Sequence, residues 1–307
     1  MSLGGGHKKS CYLRTMQNRR NFIKQASLLA AGSLVAPQLF SSNGLMAFSS
    51  KNIGLQLYSL RAMVNKEGIQ ATLEAVAKIG YKNLETAGYN DGKIYDLTPA
   101  DFKKRVSDLG MICTSAHLGQ SYSKEKDAEV MGWWDQAIEA HHELGAKYLV
   151  QPFMPVGEKS KLDDLKIYCE YFSKVGAKTR EADISFGYHN HAGEFKKIGD
   201  QVIYDYMLSH TDKEKVCFEL DVYWCQEGGA NPVEYLKKYP KQITLAHIKD
   251  AKEIGASGEM DFEGIFKQMN RNNMKDWYVE IEEYTNNDPL ASAQQSFDYL
   301  DKAKYVK

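Results

Sequence analysis

From residue 48 onward the chain switches repeatedly between two hydrophobic periods. Residues 53–59 alternate apolar and polar side chains, the period of a half-buried strand. Residues 66–80 then place Ile69, Leu73, Val76 and Ile79 on one helical face. The exchange continues with strands predicted at 83–86 and 111–118 and helices at 99–110 and 126–145. The last of these is expected to bury Trp133, Trp134, Ala137, Ile138, His141 and Leu144. Three helices close on Ile79-Gly80, Leu109-Gly110 and Leu144-Gly145, where glycine supplies the left-handed closing residue before the next strand.

The same pattern predicts five more strands, at 147–153, 184–191, 216–224, 242–250 and 277–283. Helices fall near 161–182, 201–209, 231–239, 261–272 and 289–305. Eight strands and eight helices in about 260 residues fit an α/β protein of one domain, a (β/α)8 TIM barrel. A doubly wound sheet would carry a glycine-rich phosphate loop after its first strand, and none follows residue 59.

Charge divides the 307 residues unevenly. The whole chain has 39 basic and 40 acidic side chains, a net charge of −1. Residues 1–47 hold six of the basic ones (Lys8, Lys9, Arg14, Arg19, Arg20, Lys24) and no Asp or Glu. Without them, 33 basic face 40 acidic residues, a net charge of −7 for the domain 48–307. That acidity weighs against a nucleic-acid partner. Within the leader, Asn18-Arg-Arg-Asn-Phe-Ile-Lys24 precedes a mildly apolar run at 26–36 and the small-residue site Leu45-Met46-Ala47. This resembles a twin-arginine export signal, which implies a periplasmic protein exported in folded form. The apolar run is too short to span a bilayer, which takes about 20 residues. The alternative is a basic amphipathic helix that stays attached to a cytoplasmic protein. Cys113, Cys169, Cys217 and Cys225 form no CxxC pair or dense framework and read as isolated thiols.

In such a barrel the chemistry gathers where strands end and the following loops begin. Polar residues at that level include Gln56, Tyr58, Glu85, His117, His189, His191, Glu219, Asp221, His247, Lys249, Glu280 and Glu282. Residues two apart face the same side of a strand, so each i, i+2 pair can point inward together. Burying so many ionisable groups unpaired would cost several kcal/mol each, roughly. One divalent cation resolves this, and mixed imidazole and carboxylate donors suit Mn, Zn, Co or Fe, with Mg the harder alternative.

Six segments in this order and at these strand positions carry a family likeness: Gly54-Leu-Gln-Leu-Tyr-Ser-Leu-Arg61, Ser115-Ala-His117, Gly187-Tyr-His-Asn-His-Ala-Gly-Glu-Phe195, Glu219-Leu-Asp-Val-Tyr-Trp224, Ala246-His-Ile-Lys-Asp250 and Val279-Glu-Ile-Glu282. Over residues 53–283 the chain resembles the xylose-isomerase-like sugar isomerase/epimerase superfamily, which includes inosose dehydratases and endonuclease-IV-type enzymes. The resemblance implies one metal held by His189, Asp221, His247 and Glu280, one residue from each of strands five to eight. Ketose epimerases of the family usually carry glutamate where His189 stands, and His191 is the alternative ligand. Glu280 and Glu282 exchange roles if the strand-eight register shifts by two.

The missing glutamate removes the symmetric carboxylate pair that exchanges a proton through an enediolate in the epimerases. A metal polarising a carbonyl, with a nearby base, still supports aldose–ketose isomerisation or elimination from a sugar or keto-sugar. Isomerase is the first expectation, and a lyase of the inosose-dehydratase or 3-keto-glycoside type the second. Glu280, Glu282, Lys249 and His117 are the candidate catalytic groups. Gln56, Tyr58, Glu85, His191, Glu194 and Trp224 are the candidate substrate contacts. His141 and His142 fall on a helix away from the mouth and are expected to be structural. An endonuclease-type trinuclear site is disfavoured because Trp224 stands where a further histidine belongs and no Asp-x-His follows strand seven. A non-catalytic exported sugar-binding barrel is the remaining class, and a homodimer is a possible assembly.

Overall fold

The computed structural model describes residues 51–307, so the expected leader at 1–47 lies outside the described residues. Eight parallel strands close into one barrel in chain order. They are β1 (Gly54–Gln56), β2 (Asn83–Thr86), β3 (Ile112–His117), β4 (Tyr148–Gln151), β5 (Ser185–His189), β6 (Val216–Asp221), β7 (Ile243–Ile248) and β8 (Asp276–Val279). Around them run α1 (Arg61–Glu67), α2 (Ile69–Ile79), α3 (Pro99–Asp108), α4 (Asp127–Leu144), α5 (Leu162–Arg180) and α6 (Ile203–His210). The outer layer continues with α7 (Val222–Glu227), α8 (Pro232–Lys238), α9 (Phe262–Arg271) and α10 (Pro289–Lys302). The expected (β/α)8 TIM barrel is therefore the observed fold. No helix among the described residues is long and apolar enough to cross a membrane.

Sequence periodicity overstated several strands, for a local reason in each case. Residues 53–59 alternate, but only Gly54–Gln56 pair; the Gln56 side chain accepts the Tyr58 N–H and turns 57–60 into a 3-10 turn. Likewise β6 stops at Asp221, whose Oδ1 accepts the Trp224 N–H at 2.7 Å and caps α7. Trp224 therefore sits on a short helix that the alternation concealed. The strands end before His191, Lys249, Glu280 and Glu282, which lie one to three residues past β5, β7 and β8. The helix expected at 66–80 is two helices, because Gly68 at φ +85° breaks the spiral between α1 and α2. On α4, Trp134 is fully buried but Trp133 is half-buried at the mouth. The four described cysteines are free thiols, as their spacing implied.

Pairing slips by one residue in two places. Between β2 and β3, Leu84 pairs with Cys113 but Glu85 with Ser115, leaving Thr114 extra. Two consecutive residues of β3 consequently reach inward: Thr114 Oγ1 donates to Asn83 Oδ1 at 2.7 Å, and Ser115 Oγ donates to Glu85 Oε1 at 2.6 Å. Between β6 and β7, Phe218 pairs with Ile243 and Glu219 with Leu245, leaving Thr244 extra. Each slip comes directly before a buried glutamate.

Candidate metal centre

Strand pairing sets the ligand level. Glu219 lies opposite His189, and Asp221 lies opposite His247. Donor atoms of His189, Asp221, His247 and Glu280 come within 4.8 Å of one another, and all four residues are buried. These are the four residues the family resemblance implied, with His189 rather than His191 in the group.

Beneath them lies a layer of carboxylates and imidazoles that pair with one another. Glu85 Oε2 accepts the His247 Nε2–H at 2.6 Å and the Gln56 amide at 2.7 Å. Glu219 Oε2 accepts His117 Nε2–H at 2.7 Å and His189 Nδ1–H at 3.2 Å. These bonds fix ring orientation and leave Nε2 of His189 with a lone pair, whereas Nδ1 of His247 offers one only when that ring gives up its proton. Burial and the neighbouring imidazoles hold the His189 pKa well below its ordinary value, so that ring is neutral. Burial opposes charge on His247 too, but Glu219, Glu280 and Glu85 outweigh it and raise its pKa well above 6.5.

The donor set fits a divalent cation. Asp221 Oδ2 and His247 Nδ1 are buried without hydrogen-bond partners, although His247 Nδ1 lies 3.2 Å from Glu280 Oε2. Burial pushes the Asp221 carboxyl up to about 8, the response of a carboxylate short of positive partners. Four buried carboxylates (Glu85, Glu219, Asp221, Glu280) share this region with one buried ammonium, Lys249. Glu219 Oε1 is unpartnered as well, and burial with the Glu85 charge raises that carboxyl.

Above the cluster opens a cavity of about 450 Å3 whose lining includes Tyr58, His117, His189, His191, Glu280 and Glu282. Lys249 Nζ pairs with Glu282 Oε2 at 2.9 Å and lies 3.5 Å from Glu280 Oε2, rather than pairing with Asp250. It also lies 5.7 Å from the Trp224 ring centroid. Three expected substrate contacts are engaged inside the protein instead. Gln56 and Glu85 are fully buried in the lower layer. Glu194 accepts the Tyr188 hydroxyl at 2.6 Å and the His191 N–H at 2.9 Å, so it fastens the turn after β5.

Two residues had no role assigned from sequence. Glu219 is the hub of the lower layer, and alternation gave its face but not its depth. Asn190, between the two histidines, clamps the Asp221 backbone: Oδ1 accepts its N–H at 3.2 Å and Nδ2 donates to its carbonyl at 3.3 Å.

A family model for the xylose isomerase-like TIM barrel matches residues 73–303. The chain belongs to this family. Among its relatives, the inosose dehydratase of Clostridium beijerinckii is 26% identical over 265 residues, 72% of this chain and 85% of that protein. Its Clostridium botulinum counterpart is 28% identical over 235 residues, 63% of this chain and 77% of that protein. Among solved structures, a sugar phosphate isomerase/epimerase of Parabacteroides distasonis is 39% identical with a TM-score of 0.79, covering 84% of this chain and 100% of that one. An L-ribulose 3-epimerase at 14% identity and TM-score 0.64 shares the fold, over 81% of this chain and 92% of that one. Family members are sugar isomerases, epimerases or dehydratases, which makes this xylose isomerase-like barrel an enzyme scaffold.

Proposed function

We propose a divalent-metal-dependent enzyme that acts on a sugar or keto-sugar by removing a proton from the carbon beside a carbonyl. The observation supporting it is the buried group of His189, Asp221, His247 and Glu280 at the floor of an open cavity. When bound there, a divalent cation supplies Lewis-acid polarisation of the carbonyl and the adjacent hydroxyl. Glu282 stands on the cavity wall at the end of its ion pair with Lys249 and is placed to take the proton. Lys249 puts a positive charge beside Glu280 and Glu282, where it steadies an oxygen that gains negative charge. His117 has its Nε2–H committed to Glu219, which fixes the ring on the cavity wall.

Return of the proton to the neighbouring carbon gives aldose–ketose isomerisation, our first reading. A second reading is elimination, favoured by His189. Its Nδ1 is tied to Glu219, so no carboxylate stands at the β5 position to pair with Glu280 in symmetric proton exchange. In elimination the C–H electron pair becomes a C=C bond, and the β-substituent departs with its own bonding pair and takes up a proton. The inosose dehydratase relatives agree with this reading.

The test loads the full chain with Mn2+, Co2+, Zn2+ or Mg2+ and incubates it with keto-sugars in D2O, followed by NMR. We expect metal-dependent deuterium incorporation beside the carbonyl, with aldose for isomerisation or an unsaturated product for elimination. A chain that retains no metal and exchanges no proton would sink the proposal. Sugar bound unchanged by such a chain would point to a binding module.

A further inference from the structure

The cavity above the cluster has a neighbour that shares part of its lining. A second cavity of about 640 Å3 adjoins it, and the two share Tyr58, Ala87, Tyr89 and Asn90 as a common wall. We propose that the outer cavity is a subsite for a second sugar ring, so that the substrate is a glycoside of at least two rings. This rests on the sugar-processing reading above and narrows its substrate class.

The shared wall has the chemistry of a sugar platform. Tyr58 is 43% exposed and lines both cavities. It is nevertheless held in place: the Arg61 guanidinium lies 4.5 Å from its ring centroid. That guanidinium is itself fixed by bonds to the Tyr284 hydroxyl at 3.0 Å and the Glu282 carbonyl at 3.2 Å. Tyr89 packs edge-on against Trp133 at 5.4 Å. Rigid aromatic faces suit the C–H face of a pyranose, because little entropy is lost on stacking. Asn90 and Asp96 on the lining offer an amide and a carboxylate for hydroxyl groups.

The same lining disfavours a phosphate. Arg61 is the sole Lys or Arg among residues lining the two cavities, and it gives three N–H groups to protein oxygens. Asp96 adds negative charge to the outer wall. A neutral ring meets neither obstacle.

The experiment measures binding of glucose, maltose, cellobiose and trehalose to the full chain by titration calorimetry. At least one disaccharide should bind about tenfold or more tightly than glucose, the gain expected from stacking one further ring. Asn65→Trp, which fills the outer cavity from an exposed position, should erase that advantage with glucose affinity and melting temperature unchanged. Val64→Phe serves the same purpose should the tryptophan variant misfold. Equal affinity for one and two rings, no disaccharide binding at all, or an advantage that survives both substitutions would overturn the subsite. Failure of the catalytic reading looks different: disaccharide preference would persist while no keto-sugar exchanged its proton.

Discussion

Two fully buried histidines show how differently one side chain behaves at the barrel mouth and in the helical layer. His247 ends β7 among Glu85, Glu219 and Glu280, and its pKa is raised well above the ordinary value. His141, on α4, gives its Nδ1–H to the Ala137 carbonyl at 2.7 Å and has no carboxylate partner. Burial alone pulls its pKa down to about 4. Each ring keeps one nitrogen without a hydrogen bond, Nδ1 in His247 and Nε2 in His141. Burial is thus common to both, and the neighbours decide. The orphaned nitrogen of His247 faces other donors and reads as a ligand, whereas that of His141 stands alone and reads as packing.

The harshest way to break this comparison is to remove the donors. Asp221→Ala and His247→Ala should each abolish metal retention in elemental analysis and lower turnover well beyond the roughly 10–100-fold typical of an outer partner. The barrel should still fold by circular dichroism, although Asp221→Ala also loses the α7 cap, about 1 kcal/mol. Unchanged metal content in both variants would remove the site assignment.

A gentler change tests the layer beneath. Glu85→Gln keeps the shape of the side chain but removes the charge facing His247 Nε2. Metal affinity, measured by competition with a chelator, should fall about 10–100-fold without loss of the fold. If affinity is unaltered, the lower layer contributes packing alone, and the two histidines are more alike than we argue.

The smallest effect belongs to His141. Its folded pKa of about 4 lies below the ordinary 6.5, so between those values the unfolded chain binds more protons than the folded one. Stability contributed by keeping this ring neutral is full above 6.5 and lost as pH falls toward 4. By pH 5 the loss should reach about 2 kcal/mol. His141→Leu should flatten that part of the urea-midpoint profile between pH 7 and pH 5. An identical pH dependence in wild type and variant would place the acid sensitivity elsewhere.

Much of this was legible in the sequence because a barrel repeats one local rule eight times. Alternation located every barrel strand but not the short hairpins at 89–94 and 197–202. The i, i+2 spacing put polar residues at one level, and the family resemblance singled out His189, Asp221, His247 and Glu280 among them. What escaped was depth. Alternation assigns a face but not a layer, so Glu85 was expected to meet substrate and Glu219 received no role, although the two lie together below the candidate metal ligands. Local capping was the other gap. Gln56 and Asp221 bend the backbone with their own side chains, which moved Tyr58 and Trp224 off the strands their neighbours occupy. Glu194 was expected to contact substrate, but the Tyr188 hydroxyl and the His191 amide claim both its oxygens.

The two pairing slips have a consequence for anyone who would transplant this centre. Thr114 lets adjacent residues of β3 both face inward, and Thr244 offsets β7 from β6 just below Glu219. The arrangement is therefore not a set of ligands hung on evenly spaced strands. Copying only the histidines and carboxylates onto a barrel with regular pairing would misalign Glu85 with Ser115 and Glu219 with its neighbours by a residue step. In a strand that step exchanges inside for outside. The smallest portable unit is the candidate ligand set together with its two inserted threonines.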